Sequence, residues 1–134
     1  MNTIYMTDKD YHRLHSLVQL VSVVRGPQVV KALSKELRRA KVVAAHEIQK
    51  DIITMNSTVQ IKELKSKEEM EIKIVYPKDS NLAKQRISVL APVATAVIGC
   101  KVGDEVEWPL ADETLIYKVE EILYQPEAAG DLHL

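Results

Sequence analysis

Phenylalanine is absent from this chain, and Trp and Cys each occur once. Without Phe the interior must be aliphatic, built from Val, Ile and Leu with a few Tyr. An aromatic-lined pocket for a small molecule is correspondingly hard to assemble. One cysteine, Cys100, excludes an intramolecular disulfide and fits a reducing compartment. No stretch approaches the roughly 18 uninterrupted apolar residues of a membrane span, and the opening MNTIYMTDKD lacks a basic segment followed by an apolar run. Four glycines supply no phosphate-binding loop of the GxxxxGK[ST] type, so nothing points to a kinase. These absences lead us to expect a cytoplasmic protein with no membrane contact, no small-molecule substrate and no cofactor.

What is present is ordinary in amount and uneven in distribution. Hydrophobic residues make up 46% of the chain and charged residues 28%, the balance of a water-soluble globular protein. The formal net charge of −1 conceals two opposed halves. Residues 1–58 carry 9 Lys/Arg against 5 Asp/Glu, a balance of +4, and residues 59–134 carry 9 against 14, a balance of −5. We expect two parts, a helical hairpin over residues 1–50 and a sheet domain over 51–134.

Thr7-Asp8-Lys9-Asp10 reads as a helix start, with a hydroxyl to cap early N–H groups and two acids on the positive end of the dipole. Tyr11, Leu14, Leu17, Val18 and Val21 follow at helical spacing. Gly26-Pro27 stops that helix and opens a second, predicted from Pro27 to about Val43 with Val30, Leu33, Leu37 and Ala40 on its apolar stripe. Two such helices must pack antiparallel to bury their stripes, forming a short arm of about 24 Å. Its tip is Val24, Arg25 and Gly26.

Beyond Asp51 the period changes to two. Strands are predicted at 58–64, at 69–76 with Met70, Ile72, Ile74 and Tyr76 on one face, at 86–90, at 106–108 and at 114–124. Ser66-Lys67-Glu68 is the expected hairpin turn, residues 77–84 a loop, and Pro92 to Ile98 a short helix ended by Gly99. The fold class is α+β, with the strands in antiparallel order.

Candidate functional residues are few. Lys31, Lys35 and Arg38 recur at i, i+4, i+7 on the second helix and form a basic stripe, which reads either as the solvated outer face of the hairpin or as a surface for nucleic acid or for an acidic face of a protein. No aromatics interleave with them for base stacking, which argues against direct nucleic-acid binding as the main role. Asp8, His12 and His15 share a helix face but lack a fourth ligand, so a polar surface accounts for them. Cys100 has no His-Asp partner set and reads as a small core residue, and Trp108 as a packing residue. The tail from Pro126 to Leu134 either docks back or meets a partner; both readings stand.

One long block has a family look. Ile87-Ser88-Val89-Leu90-Ala91-Pro92, the small apolar helix to Ile98, Gly99, Lys101 and the Gly103-Asp104 turn resemble the C-terminal signature of the GreA/GreB transcript-cleavage factors. Thr54-Met55-Asn56-Ser57 and the tail from Tyr124 to Asp131 resemble the Rnk (regulator of nucleoside diphosphate kinase) branch of that family. The resemblance implies an N-terminal coiled-coil arm, a C-terminal domain of FKBP-like topology and a partner, RNA polymerase, held at the rim of its secondary channel. It implies a docking loop at Pro92, with Leu90 and Ala91 where cleavage factors carry polar residues. Cleavage-stimulating members bear acids at the arm tip to help hold magnesium, as a hard cation requires oxygen ligands. Here Ser22-Val23-Val24-Arg25-Gly26-Pro27 contains none. The implied function is therefore a polymerase-binding regulator without transcript cleavage, and not an enzyme. An FKBP-like prolyl isomerase is a weaker alternative, because a chain without Phe can hardly line such a site.

Overall fold

The computed structural model describes residues 2–109 and 112–134. The chain opens with β1 (Tyr5–Thr7) and runs directly into α1 (Asp8–Arg25). The Thr7 hydroxyl accepts the Asp10 N–H at 3.1 Å, closing the first turn of α1 as the cap sequence predicts. Gly26, at φ +94°, ends it, a backbone conformation that a side chain would strain.

The second helix is shorter than its periodicity suggests. Pro27–Val30 form a single tight 3₁₀ turn, and α2 spans only Lys31–Arg39. Lys41–Val43, expected as the end of that helix, are instead β2, paired in parallel with β1 through Tyr5↔Lys41, Met6↔Val42 and Thr7↔Val43. Consecutive β-branched residues favour the extended form, and the free edge of β1 supplies the partner. α1 is thus about 27 Å long against about 14 Å for α2.

The main sheet contains β3 (Thr58–Glu63), β4 (Glu69–Val75), β5 (Arg86–Ser88), β6 (Glu105–Pro109) and β7 (Thr114–Tyr124), in spatial order β5-β4-β3-β7-β6. The predicted strands fall close to these positions. Their order is not wholly antiparallel, however: β5 pairs parallel to β4, Ile74 opposite Ile87. The segment Tyr76–Gln85, with 3₁₀ turns at Pro77–Asp79 and Leu82–Lys84, carries the chain back along the sheet before β5 begins. Alternation records which face a side chain takes, but not strand direction.

In β3, Val59, Ile61 and Glu63 point inward. The Glu63 carboxylate accepts the N–H groups of Lys65 and Ser66 and so holds the β3–β4 turn. In β4, Ile72 and Ile74 are buried, whereas Met70 is exposed near the turn. α3 (Pro92–Val97) touches both α2 and β6. One hydrophobic cluster joins Ile4, Met6, Leu14, Leu33 and Leu37 from the helical part to Ile53, Val59, Ile61, Ile74, Val97 and Val119 from the sheet part.

The tail docks back. α4 (Pro126–Ala129) follows β7, and the buried Gln125 carboxamide donates to the carbonyls of Gln49 at 2.8 Å and Ile52 at 2.7 Å. The Lys9 ammonium donates to the Leu132 carbonyl, bringing the tail against the start of α1. Among the described residues no helix is long and apolar enough to cross a membrane.

Candidate functional site

The predicted functional residues occupy three surfaces. At the arm tip, Val23 is 86% and Val24 70% exposed, and Arg25 is exposed beside them. The described tip, Ser22 to Pro27, carries two bare valines and a cation but no carboxylate. A divalent cation would find no hard oxygen side chain there.

The second surface is the face of α2. Lys31, Lys35 and Arg38 are all exposed and line one side of a groove between α1 and α2. The half-buried Val18 and the buried Val30 lie at its base, Pro27, Ala32, Ser22, Gln28 and Ser34 also line it, and its volume is about 830 Å³. The only acid on α2, Glu36, is already engaged with Arg39 at 2.8 Å, and so does not neutralise the stripe.

The third surface is the loop into α3. Leu90 and Ala91 are half-buried and Pro92 is exposed. Ser88 shapes the approach: its hydroxyl accepts the Leu90 N–H at 3.1 Å, and its carbonyl accepts the Ala91 N–H at 2.9 Å. From within α3 the Thr95 hydroxyl donates to the Val89 carbonyl at 2.6 Å. Pro92 opens the helix, where its missing N–H leaves no intrahelical bond unmade. The result is a prolyl corner held by three local bonds, with its ring turned to solvent.

Where α1 meets the sheet lies a polar junction that sequence reading missed. The Met55 N–H donates to Asp10 Oδ2 at 3.1 Å. Beside it the Thr54 hydroxyl donates to Glu127 Oε1 at 2.7 Å, and the Ser57 hydroxyl lies 2.9 Å from that of Thr54. Asn56 sustains the turn at φ +68°, a conformation Asn tolerates better than most residues. Thr54–Ser57 and the tail, far apart in sequence, are thus one assembly with the start of α1. Burial raises the Asp10 carboxyl to about 6, partly offset by the Met55 N–H and reinforced by the charge of Glu127. Among the described residues the buried Tyr76 hydroxyl makes no hydrogen bond of good geometry, and burial, then the charge of Asp10, raises its pKa against the opposing pull of nearby Arg13. In the sequence Asp10 reads only as an acid of the capping turn, on the positive end of the α1 dipole.

Cys100 is fully buried, and burial pushes its thiol up to about 12. A thiol held protonated is a poor nucleophile, in keeping with its reading as a core residue. Trp108 is half-buried on the edge strand β6. Asp8, His12 and His15 are all exposed on α1.

A short helical arm and a five-stranded sheet share one core, with a prolyl corner at the start of α3. Comparison with known proteins gives the family. A family model described as "Transcription elongation factor, GreA/GreB, C-term" matches residues 48–124, and one described as "Rnk N-terminus" matches residues 2–43. The chain therefore belongs to the GreA/GreB family of transcription elongation factors, in its Rnk branch. It is 36% identical over 130 residues to the "Regulator of nucleoside diphosphate kinase" of Escherichia coli K12, spanning 96% of this chain and 95% of that one. It is 34% identical to the transcription elongation factor GreA of Acetivibrio thermocellus over 90 residues, which is 67% of this chain and 57% of that protein. Among solved structures, a GreA/GreB transcription elongation factor from Nitrosomonas europaea is 38% identical, with a TM-score of 0.72 over 92% of this chain and the whole of that one.

Proposed function

We propose that this chain is an RNA polymerase-binding regulator that docks at the rim of the secondary channel and does not stimulate transcript cleavage. In this reading residues 51–134 form an FKBP-like docking domain and residues 1–50 a coiled-coil arm directed into the channel. It acts in the cytoplasm and is not itself an enzyme. Family membership over residues 48–124 supports the partner. The observation that carries the rest is the tip: exposed Val23, Val24 and Arg25 in place of acids. Magnesium-assisted hydrolysis needs carboxylates to hold the metal and orient water, and this end of the arm has none to offer. With α2 only nine residues long, the hairpin is also short for reaching a distant catalytic centre.

Docking is assigned to the corner formed by Leu90, Ala91 and Pro92. An exposed proline on a locally bonded frame presents an apolar surface at little entropic cost. A bound factor with a blunt tip would limit access by related factors that carry acids there. The test is co-elution with core RNA polymerase on gel filtration, run beside Pro92→Asp, with halted transcription complexes assayed for transcript shortening. Co-elution of the wild type, its loss in Pro92→Asp and unchanged transcript length are expected. A wild type that fails to co-elute, or one that shortens transcripts, overturns this function.

A further inference from the structure

We propose that the groove between α1 and α2 binds an acidic amphipathic helix of a partner protein, as a third helix laid against the arm. Three features of the groove define that occupant. Its floor, the half-buried Val18 of α1 and the buried Val30, is apolar, with exposed Pro27 and Ala32 at the margin beside Ser22, Gln28 and Ser34, so an occupant must bring apolar side chains to cover it. One wall is cationic throughout: Lys31, Lys35 and Arg38 line it, and no acidic residue lies among the lining side chains. Among the described residues none of these three cations is engaged in a salt bridge, since the ion pairs are Arg39–Glu36 and Lys65–Glu113.

The spacing of the cations selects a helix. Positions 31, 35 and 38 form a row along α2 about 10 Å long. Acids at i, i+4 and i+7 of a helix lying alongside form a row of the same length, and apolar residues one face over then drop onto the floor. The mismatch of the two arm helices provides the space. α1 has 18 residues and α2 nine, so the outer turns of α1 are backed by a single 3₁₀ turn where a full helix pair would have filled the volume. About 830 Å³ is left open there.

A nucleic acid is the other polyanion that such a stripe would attract. The lining residues include no aromatic ring on which a base could stack, and phosphates have no use for an apolar floor. Charge and floor together therefore favour a protein helix. The groove shares no lining residue with the Leu90–Pro92 corner, and the assay contains no polymerase, so a failed peptide titration and a failed co-elution are distinguishable.

The test uses the full chain and a fluorescein-labelled 18-residue amphipathic peptide, Glu on one row and Leu on the next, titrated by fluorescence anisotropy at low salt. Micromolar binding is expected. It should weaken at least about tenfold in a Lys31→Glu/Lys35→Glu/Arg38→Glu variant, as three lost charge pairs imply. All three side chains are exposed, and unchanged circular dichroism checks that the variant folds. Replacing Glu by Gln, or Leu by Ser, in the peptide should each weaken binding to a similar degree. The proposal is overturned by no binding up to about 100 µM, by a Leu-to-Ser peptide that binds as tightly as the parent, or by a single-stranded RNA 12-mer that binds more tightly than the peptide.

Discussion

Asp10 shows how much one buried carboxyl can impose on a small protein. It sits at 4% exposure with the Met55 N–H as its fixed donor, and burial lifts its pKa from 3.8 to about 6. The raised value determines the sign of the pH dependence. Between about pH 4 and pH 6 the folded state keeps a proton that the unfolded chain releases, so stability falls as pH rises through that window. At neutral pH the ionised group costs on the order of 3 kcal/mol relative to its protonated form. Asp10→Asn keeps an acceptor for Met55 and removes the charge. Urea unfolding should give a variant more stable than wild type at pH 7, with the slope between pH 4 and 6 largely gone. A variant whose pH profile parallels the wild type would show that Asp10 is not the titrating group.

At the level of elements, the end of α3 meets β1 at close quarters. The Tyr5 N–H donates to the Gly99 carbonyl at 3.0 Å. A Cβ on Gly99 would stand 2.9 Å from Ile4 Cβ and 3.0 Å from the Tyr5 carbonyl oxygen, in a backbone already at φ +79°. Gly99→Ala should therefore lower stability by about 2–4 kcal/mol, through combined strain and overpacking, seen as a reduced Tm. An unchanged Tm would mean that β1 moves freely away from α3. Glycine's place after α3 was legible in the sequence as a helix stop; its second duty, admitting β1, was not. The same limit accounts for the other misreadings. Tyr5–Thr7 is too short for any period to register, so Lys41–Val43 were read as helix instead of as its partner strand. Alternation placed Ile72 and Ile74 in the core correctly and was silent on the parallel direction of β5. Of the candidate surfaces, the prolyl corner and the acid-free tip were visible as local strings. The junction of Asp10, Thr54, Ser57 and Glu127 was not, because it gathers residues from three distant stretches.

For the whole molecule, the decisive feature is that helices and sheet share one core. Leu33, at 1% exposure on α2, belongs to the same buried cluster as Ile61 and Val119 in the sheet. Leu33→Ala should cost about 2–5 kcal/mol. Helical circular dichroism and Trp108 fluorescence should still report one coincident, shifted transition. Two separated transitions would show that arm and sheet unfold independently. A shared core also transmits alignment: an arm rooted in the same interior as the prolyl corner is held at a fixed angle to it.

The order β5-β4-β3-β7-β6 has a consequence for synthesis. β7 is the last of the sheet's five strands in chain order, yet it lies inside the finished sheet, paired on one edge with β3 and on the other with β6. A nascent chain can close the β3–β4 hairpin early, yet the opposite edge of β3 stays unpaired until residues 114–124 emerge. During that interval an open strand edge is a template for chance pairing with other chains. Any pause that delays the emergence of residues 114–124 prolongs that exposure, so the yield of native protein should fall with slower synthesis after β4.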